Sequence, residues 1–508
     1  MRLSPSLIRW LGALCIGLSA SSQAATPWVQ AGDLTARHHI EALQSQGCLK
    51  GVTLSWPISW AALMKGYRLA LAQQSPDQAS ACKNQHSAYL QKALEATRQA
   101  ATGAQLTLGG ATQEPLYTSF SSQVEDEASS QIALYSMGEH WAANLAVGYV
   151  DGERDDTHLR FDDSYLAGIV GNWQVGVGAI DRWWGPGWQS SLALSNNARP
   201  VPGLWISRHM PLAPESPWLS WIGPWDLQVI GGQLEKDRAV PKARLLGARF
   251  VFNPLDSLQI GLTRLAQWGG EGRPQDLDAF WNAVIGRDNG QTSGLKEGQD
   301  PSNQIAGLDF RLSLTPGDVP VGLYGQFMGE DEAGGLPSKF SSLAGLDMVT
   351  GLGQGSQRFF LEATETVAGS WLSERRHNVA YEHGTYRSGF RHYGRNMATT
   401  WEGDARAVTL GLQQYFRNGV TVGLNLSRAT LNQDGTIRAV ITEDGAAILQ
   451  SVEEQDISLA ELRIQHPMPM LGGRLDWLLS ATDEPVETVF EERERFTAGL
   501  QWTRPISW

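Results

Sequence analysis

Cysteine is scarce in this chain: Cys15, Cys48 and Cys82 are the three among 508 residues. Positive charge is also short, with 40 Lys and Arg against 53 Asp and Glu, a formal charge of −13. That balance argues against nucleic acid as a partner, because a binder needs a basic face to replace phosphate counterions. Beyond the N-terminus no apolar run reaches the roughly 18 residues of a membrane-spanning helix. The catalytic signatures G-x-S-x-G and H-E-x-x-H and the P-loop are missing as well. His377, His383 and His392 are spaced too loosely for a metal site. These absences lead to the expectation of a protein that is not an enzyme and uses no cofactor.

What is present begins with an export signal. Arg2 and Arg9 precede a mostly apolar stretch from Leu7 to Leu18, and Ser22-Gln23-Ala24 supplies small residues for cleavage. Residues 1–24 therefore read as a signal peptide, whose loss takes the charge to −15 by removing Arg2 and Arg9. Leu14 stands where a lipobox before Cys15 needs a small residue, so lipidation is not expected. In an oxidising compartment Cys48 and Cys82 most simply pair as a disulfide, with two free buried thiols as the alternative. Trp (20) outnumbers both Phe (14) and Tyr (11). Such enrichment suits the aromatic girdles of a membrane barrel, although a secreted carbohydrate-binding β protein could share it.

The hydrophobic period divides the chain. Asp33 is a plausible N-cap for a helix carrying Leu34, Ile40 and Leu43, and 61–73 and 86–101 are further helical stretches. From about 130 the period becomes two. Trp141, Ala143, Leu145, Val147 and Tyr149 form one face; Ile169, Gly171, Trp173, Val175 and Val177 form another. Similar runs at 308–314, 408–412, 420–426 and 475–479 repeat the weak signal of a transmembrane antiparallel β-barrel. The last segment places Phe496, Ala498, Leu500 and Trp502 on one face and ends in the aromatic Trp508. Counting back from there, connections alternate: 483–494 long, 466–473 short, 429–455 long, Asn418-Gly419 tight, 397–406 polar. Long loops belong outside such barrels and short turns inside. The division is thus 1–24 signal peptide, 25–110 periplasmic helical head and 111–508 barrel.

Two stretches carry a family likeness. One is Asp181-Arg182-Trp183-Trp184-Gly185-Pro186-Gly187, followed by Leu192, Leu194 and Ser195-Asn196-Asn197-Ala198-Arg199-Pro200, with Ser164-Tyr165 through Asn172-Trp173 ahead of it. The other is Asp33-Leu34, Arg37-His38, Ile40, Leu43 and Gly47, followed by Trp56-Pro57 and Trp60. Together they resemble the Wzi family of capsule-assembly proteins. The resemblance implies an outer-membrane barrel of about 18 strands with a periplasmic helical bundle at its inner mouth. It implies a lectin that holds capsular or extracellular polysaccharide at the cell surface, set in outer-membrane lipid and monomeric. The alternative is a porin or substrate-specific channel.

Two sets of residues are the candidates for contact with a ligand. Trp183 and Trp184 beside the Gly185-Pro186-Gly187 turn offer flat faces for sugars, or else are girdle or packing residues that seat a bend at the barrel rim; the second reading is favoured. The segment 374–401 is basic and aromatic, and on a strand the even spacing of Arg387, Arg391, Tyr393 and Arg395 would place them on one lumen face. There they could bind carboxylates of an acidic polysaccharide, or pair with lumen acids and stiffen the barrel.

Overall fold

A computed structural model describes residues 26–507 except 122–126, 153–156, 286–301, 334–335, 352, 354, 370–373, 438 and 440–447. The expected signal peptide over 1–24 and the terminal Trp508 lie outside the described residues. Period-two segments close into an antiparallel barrel of eighteen strands, with the two-residue strand Leu159–Arg160 appended beside Trp141–Asp151. The first barrel strand, Thr102–Ala111, pairs with the last, Phe496–Ser507, in a register that sets Leu108 against Trp502. The barrel thus begins at Thr102, inside the stretch that the sequence reading gave to the head.

The alternation predicted from sequence is the alternation of the wall. Along Trp141–Asp151, Leu145, Val147 and Tyr149 are exposed outward while Ala142, Asn144, Ala146 and Gly148 are buried inward. The run 169–177 behaves differently. It is two strands, Tyr165–Val170 and Trp173–Gly178, joined through Gly171 at φ 61° and Asn172. A two-residue hairpin needs positive φ, which Gly supplies without strain. Crossing it reverses the parity, so Ile169 pairs with inward Gln174 rather than sharing a face with Val175.

Loop lengths follow the expected order along the C-terminal strands. Segments 366–405, 432–454 and 483–495 are long at one end, while 417–420 and 468–473 are short at the other. The connection 209–224 departs from this rule by running long at the short-turn end.

Four helices lie at the short-turn end: Leu34–Ser45, Trp60–Gln73, Pro76–Ala81 and Gln85–Gln99. Asp33 caps the first, its Oδ1 accepting from Ala36 N at 2.9 Å. Ser75 with Gln78 and Asn84 with Ser87 form capping boxes on the last two. The first helix is not part of a free head. It is buried at every position except Thr35 and enters the barrel mouth as a plug. Cys48 and Cys82 form a disulfide, Cα atoms 5.4 Å apart, that ties the segment after this helix to the C-cap of Pro76–Ala81, just ahead of the last helix.

Closing a loop with a separation of 34 residues restricts the unfolded chain by about 3–4 kcal/mol. Replacing both cysteines by serine is expected to speed proteolysis of the helical unit at least severalfold. The barrel should keep its heat-modifiable electrophoretic mobility, because no barrel strand is tied by the bridge.

Candidate functional site

Several inward residues of the wall are charged and almost fully buried, so their partners decide what fills the lumen. Asp309 grips Arg249 with both oxygens, at 2.7 and 2.8 Å. Arg249 also donates to Ser55 Oγ at 2.8 Å and Leu54 O at 2.9 Å, which pulls the segment after the first helix across the lumen. Beside it Arg311 pairs with Asp347 at 2.6 Å and with Glu41 of the plug helix at 3.2 Å. Arg358 reaches the same Asp347 and donates to the carbonyl of His38. Glu41 in turn holds Arg37 at 2.7 Å, and Arg37 donates to Pro186 O and Gly187 O at 2.7 and 2.8 Å. Wall, plug helix and the Gly-Pro-Gly turn form one network.

That network places the aromatic motif inside the barrel. Trp183 and Trp184 form a short ladder with Trp56 and Ser55, and both are 0% exposed. They are packing residues rather than girdle residues, set inside the barrel rather than at its rim, and neither ring offers a face to a sugar. Trp184 Nε1 donates to Gln228 at 3.0 Å. Gly185, at φ 152°, lies so close to Gln326 that a β-carbon would collide with its amide. Past the turn, Glu362 accepts from the backbone of Trp188 at 2.7 Å and of Ser190 at 2.8 Å, pinning the loop tip to the wall. Arg37 stacks between Phe120 and Trp188, 4.3 and 4.1 Å from the ring centres. Half-buried Arg182 lies over Trp205 at 5.3 Å.

The two asparagines clamp separate segments. Asn196 donates to Phe120 O at 2.9 Å; Asn197 donates to Asn396 O at 2.9 Å and accepts from Thr118 Oγ1 at 2.7 Å.

The basic segment 374–401 is not a strand with one face. Arg391–His392 pairs with Arg395–Asn396 in a two-residue ladder, turned through Tyr393 and Gly394 at φ 46° and 76°. This fold separates the four candidates. Arg391 is buried against Glu382 at 2.7 Å and Glu402 at 2.9 Å. Arg395 is buried against Glu114 at 2.8 Å and donates to Asn197 at 3.2 Å. Tyr393 is half-buried beneath Arg199, 4.2 Å from the ring centre, and Arg387 is exposed. Pairing with acids, one of the two sequence readings, describes Arg391 and Arg395. The acids of Arg391 lie in its own loop, whereas Glu114 is 281 positions from Arg395, a relation that periodicity could not convey.

Glu235 in the neighbouring loop belongs to the same cap. Burial pushes its carboxyl up, but Arg238 and His392 outweigh this and bring it down to about 2. Between cap and wall remains a polar cavity of about 200 Å³, lined in part by Gln131, Arg160, Asp162, Asn196, Arg199 and Arg395.

The buried pairs give a direct mutational expectation. Asp309→Ala leaves Arg249 uncompensated in the lumen, and breaking a buried pair from one side costs about 3–5 kcal/mol. The variant should lose its heat-resistant folded form at a clearly lower temperature in an electrophoretic melting series, whereas Arg387→Ala should melt like the parent.

Comparison with known proteins agrees with this architecture. The family model for capsule assembly protein Wzi matches residues 97–498. An uncharacterized 55.8 kDa protein in the cps region of Klebsiella pneumoniae is 33% identical over 360 residues, 70% of this chain and 69% of the relative. The solved structure of Escherichia coli Wzi superposes with a TM-score of 0.79 at 25% identity, over 95% of this chain and 100% of that one. That protein is described as an outer membrane protein involved in group 1 capsule assembly and as a carbohydrate-binding β-barrel. A match that covers most of the chain, from residue 97 to residue 498, places it in the capsule assembly protein Wzi family.

Proposed function

We propose that this protein is an outer-membrane lectin that attaches capsular or extracellular polysaccharide to the cell surface and aids capsule assembly. The helical unit then faces the periplasm, and the long loops at 234–243, 366–405, 432–454 and 483–495 face outward. The observation that carries the proposal is the filled lumen. Segments from the plug helix, the Trp183-Trp184 loop and 374–401 are bonded to the wall and to one another, so the barrel serves as a rigid pedestal. This favours a binding surface over a conducting pore. A monomer in outer-membrane lipid suffices for it.

Binding in this reading needs no chemistry on the polymer. Each barrel contributes weak contacts, and a long polymer engaging many barrels is held by avidity. Arg391 and Arg395 act as positioning residues through their acid partners. Contact falls to exposed cations of the same cap, Arg376 and Arg387, with Lys236 and Lys242 nearby. Guanidinium groups suit the carboxylates of acidic sugars because the planar fork can donate two parallel hydrogen bonds. Such a local strip is required if the ligand is anionic, given the net charge of −15 that remains without Arg2 and Arg9.

The test is binding of purified acidic polysaccharide to the detergent-solubilised protein immobilised at high density. Arg376→Ala with Arg387→Ala is expected to weaken retention about tenfold and to reduce its salt sensitivity, with the melting temperature unchanged. Retention equal to the parent would remove these residues from the contact surface.

A further inference from the structure

Three histidines meet at the base of the plug, one of them, His38, bonded to the lumen network through Arg358. His38 and His39 lie on the Leu34–Ser45 helix, and His86 lies in the first turn of Gln85–Gln99. All three are buried. One ring nitrogen of each lies within 4.8 Å of the other two. The ring centres form a nearly equilateral triangle with sides of 5.0, 5.0 and 5.4 Å, and the planes are inclined to one another by 67°, 56° and 62°. Nδ1 of His39 faces Nδ1 of His86 at 2.8 Å.

This triangle has the size that a tetrahedral ion demands. Zinc sits about 2.0–2.1 Å from an imidazole nitrogen, which puts each ring centre about 3.2 Å from the ion and the centres about 5.2 Å apart. The nitrogens themselves would settle roughly 3.4 Å from one another. Side-chain rotation covers that difference.

We propose that His38, His39 and His86 form a binding site for a zinc-class transition metal, fastening the last helix to the plug helix alongside the Cys48–Cys82 disulfide. An all-imidazole donor set suits zinc, copper or nickel rather than the oxygen-seeking magnesium and calcium. Tyr415 stacks on His38 at 3.8 Å and Tyr89 on His39 at 4.2 Å, which fixes two ring planes. Ser356 Oγ stands 2.7 Å from His38 Nε2.

Neutral imidazole is the form that ligates metal. Arg358 Nε donates to His38 Nδ1 at 3.4 Å, a long hydrogen bond that ligation through that nitrogen replaces, and the guanidinium charge is countered by Asp347 and by Glu41 at 3.5 Å. Three protein ligands leave a fourth position for water or an anion.

The experiment uses the full exported chain, purified in detergent by a tag without histidine, stripped with chelator and titrated with Co²⁺ and then Zn²⁺. The expected result is one equivalent of Co²⁺ with the visible absorption of a tetrahedral ion, displaced by one equivalent of Zn²⁺. His39→Gln and His86→Gln should each weaken binding at least tenfold, while the exposed His140→Gln should not. Heat-modifiable mobility verifies that each variant is folded. A parent that shows no visible band and retains no stoichiometric zinc overturns the proposal. So does a folded His86→Gln that binds as tightly as the parent. Should both variants fail to fold, the stoichiometry and spectrum of the parent decide alone.

Discussion

Charges facing the inside of a barrel cannot be left without partners, and most of the interior is built to meet that requirement. Arg249, Arg311 and Arg358 project inward from the wall with almost no access to water. An isolated buried guanidinium is costly, and attraction repays its desolvation only when the geometry is good and remaining donors are satisfied. Wall acids meet part of the demand through Asp309 and Asp347. The rest comes from the chain folded into the lumen: Glu41 and carbonyls at His38 and Leu54. The plug and the barrel therefore stabilise each other.

The same logic orders the opposite end. Arg391, Arg395 and Arg238 are held by Glu382, Glu402, Glu114 and Glu235, drawn from three separate loops. The Trp183-Trp184 loop lies between the two charge networks, with Arg37 gripping its turn from one side and Asn197 tying it to the cap from the other. Loops fixed in this way can present a constant outer surface, which a protein that binds by many weak contacts needs.

Much of this was legible in the sequence where the signal is local. Period two marked the strands, Asp33 marked a helix start, and loop lengths marked the two ends. The Cys48–Cys82 pair followed from compartment and scarcity. What periodicity could not convey was any relation between distant segments. The even spacing of Arg391, Tyr393 and Arg395 suggested a strand, but positive φ at Tyr393 and Gly394 turns the chain back on itself. Trp183 and Trp184 suggested a rim because they follow a wall strand; the carbonyls of Pro186 and Gly187 instead meet an arginine about 150 positions earlier. Burial of the first helix was hidden for the same reason, since Arg37 and Glu41 read as surface residues until their partners are known. His38, His39 and His86 stand apart from any recognised spacing, and only the packing of two helices brings them together.

The most direct test of the account is the fraction of polysaccharide bound to cells against the fraction shed into the medium, with and without this protein. The account predicts that its loss leaves total synthesis intact and shifts polymer into the medium, and that restoring the chain reverses the shift. Unchanged attachment in cells lacking the protein would contradict it.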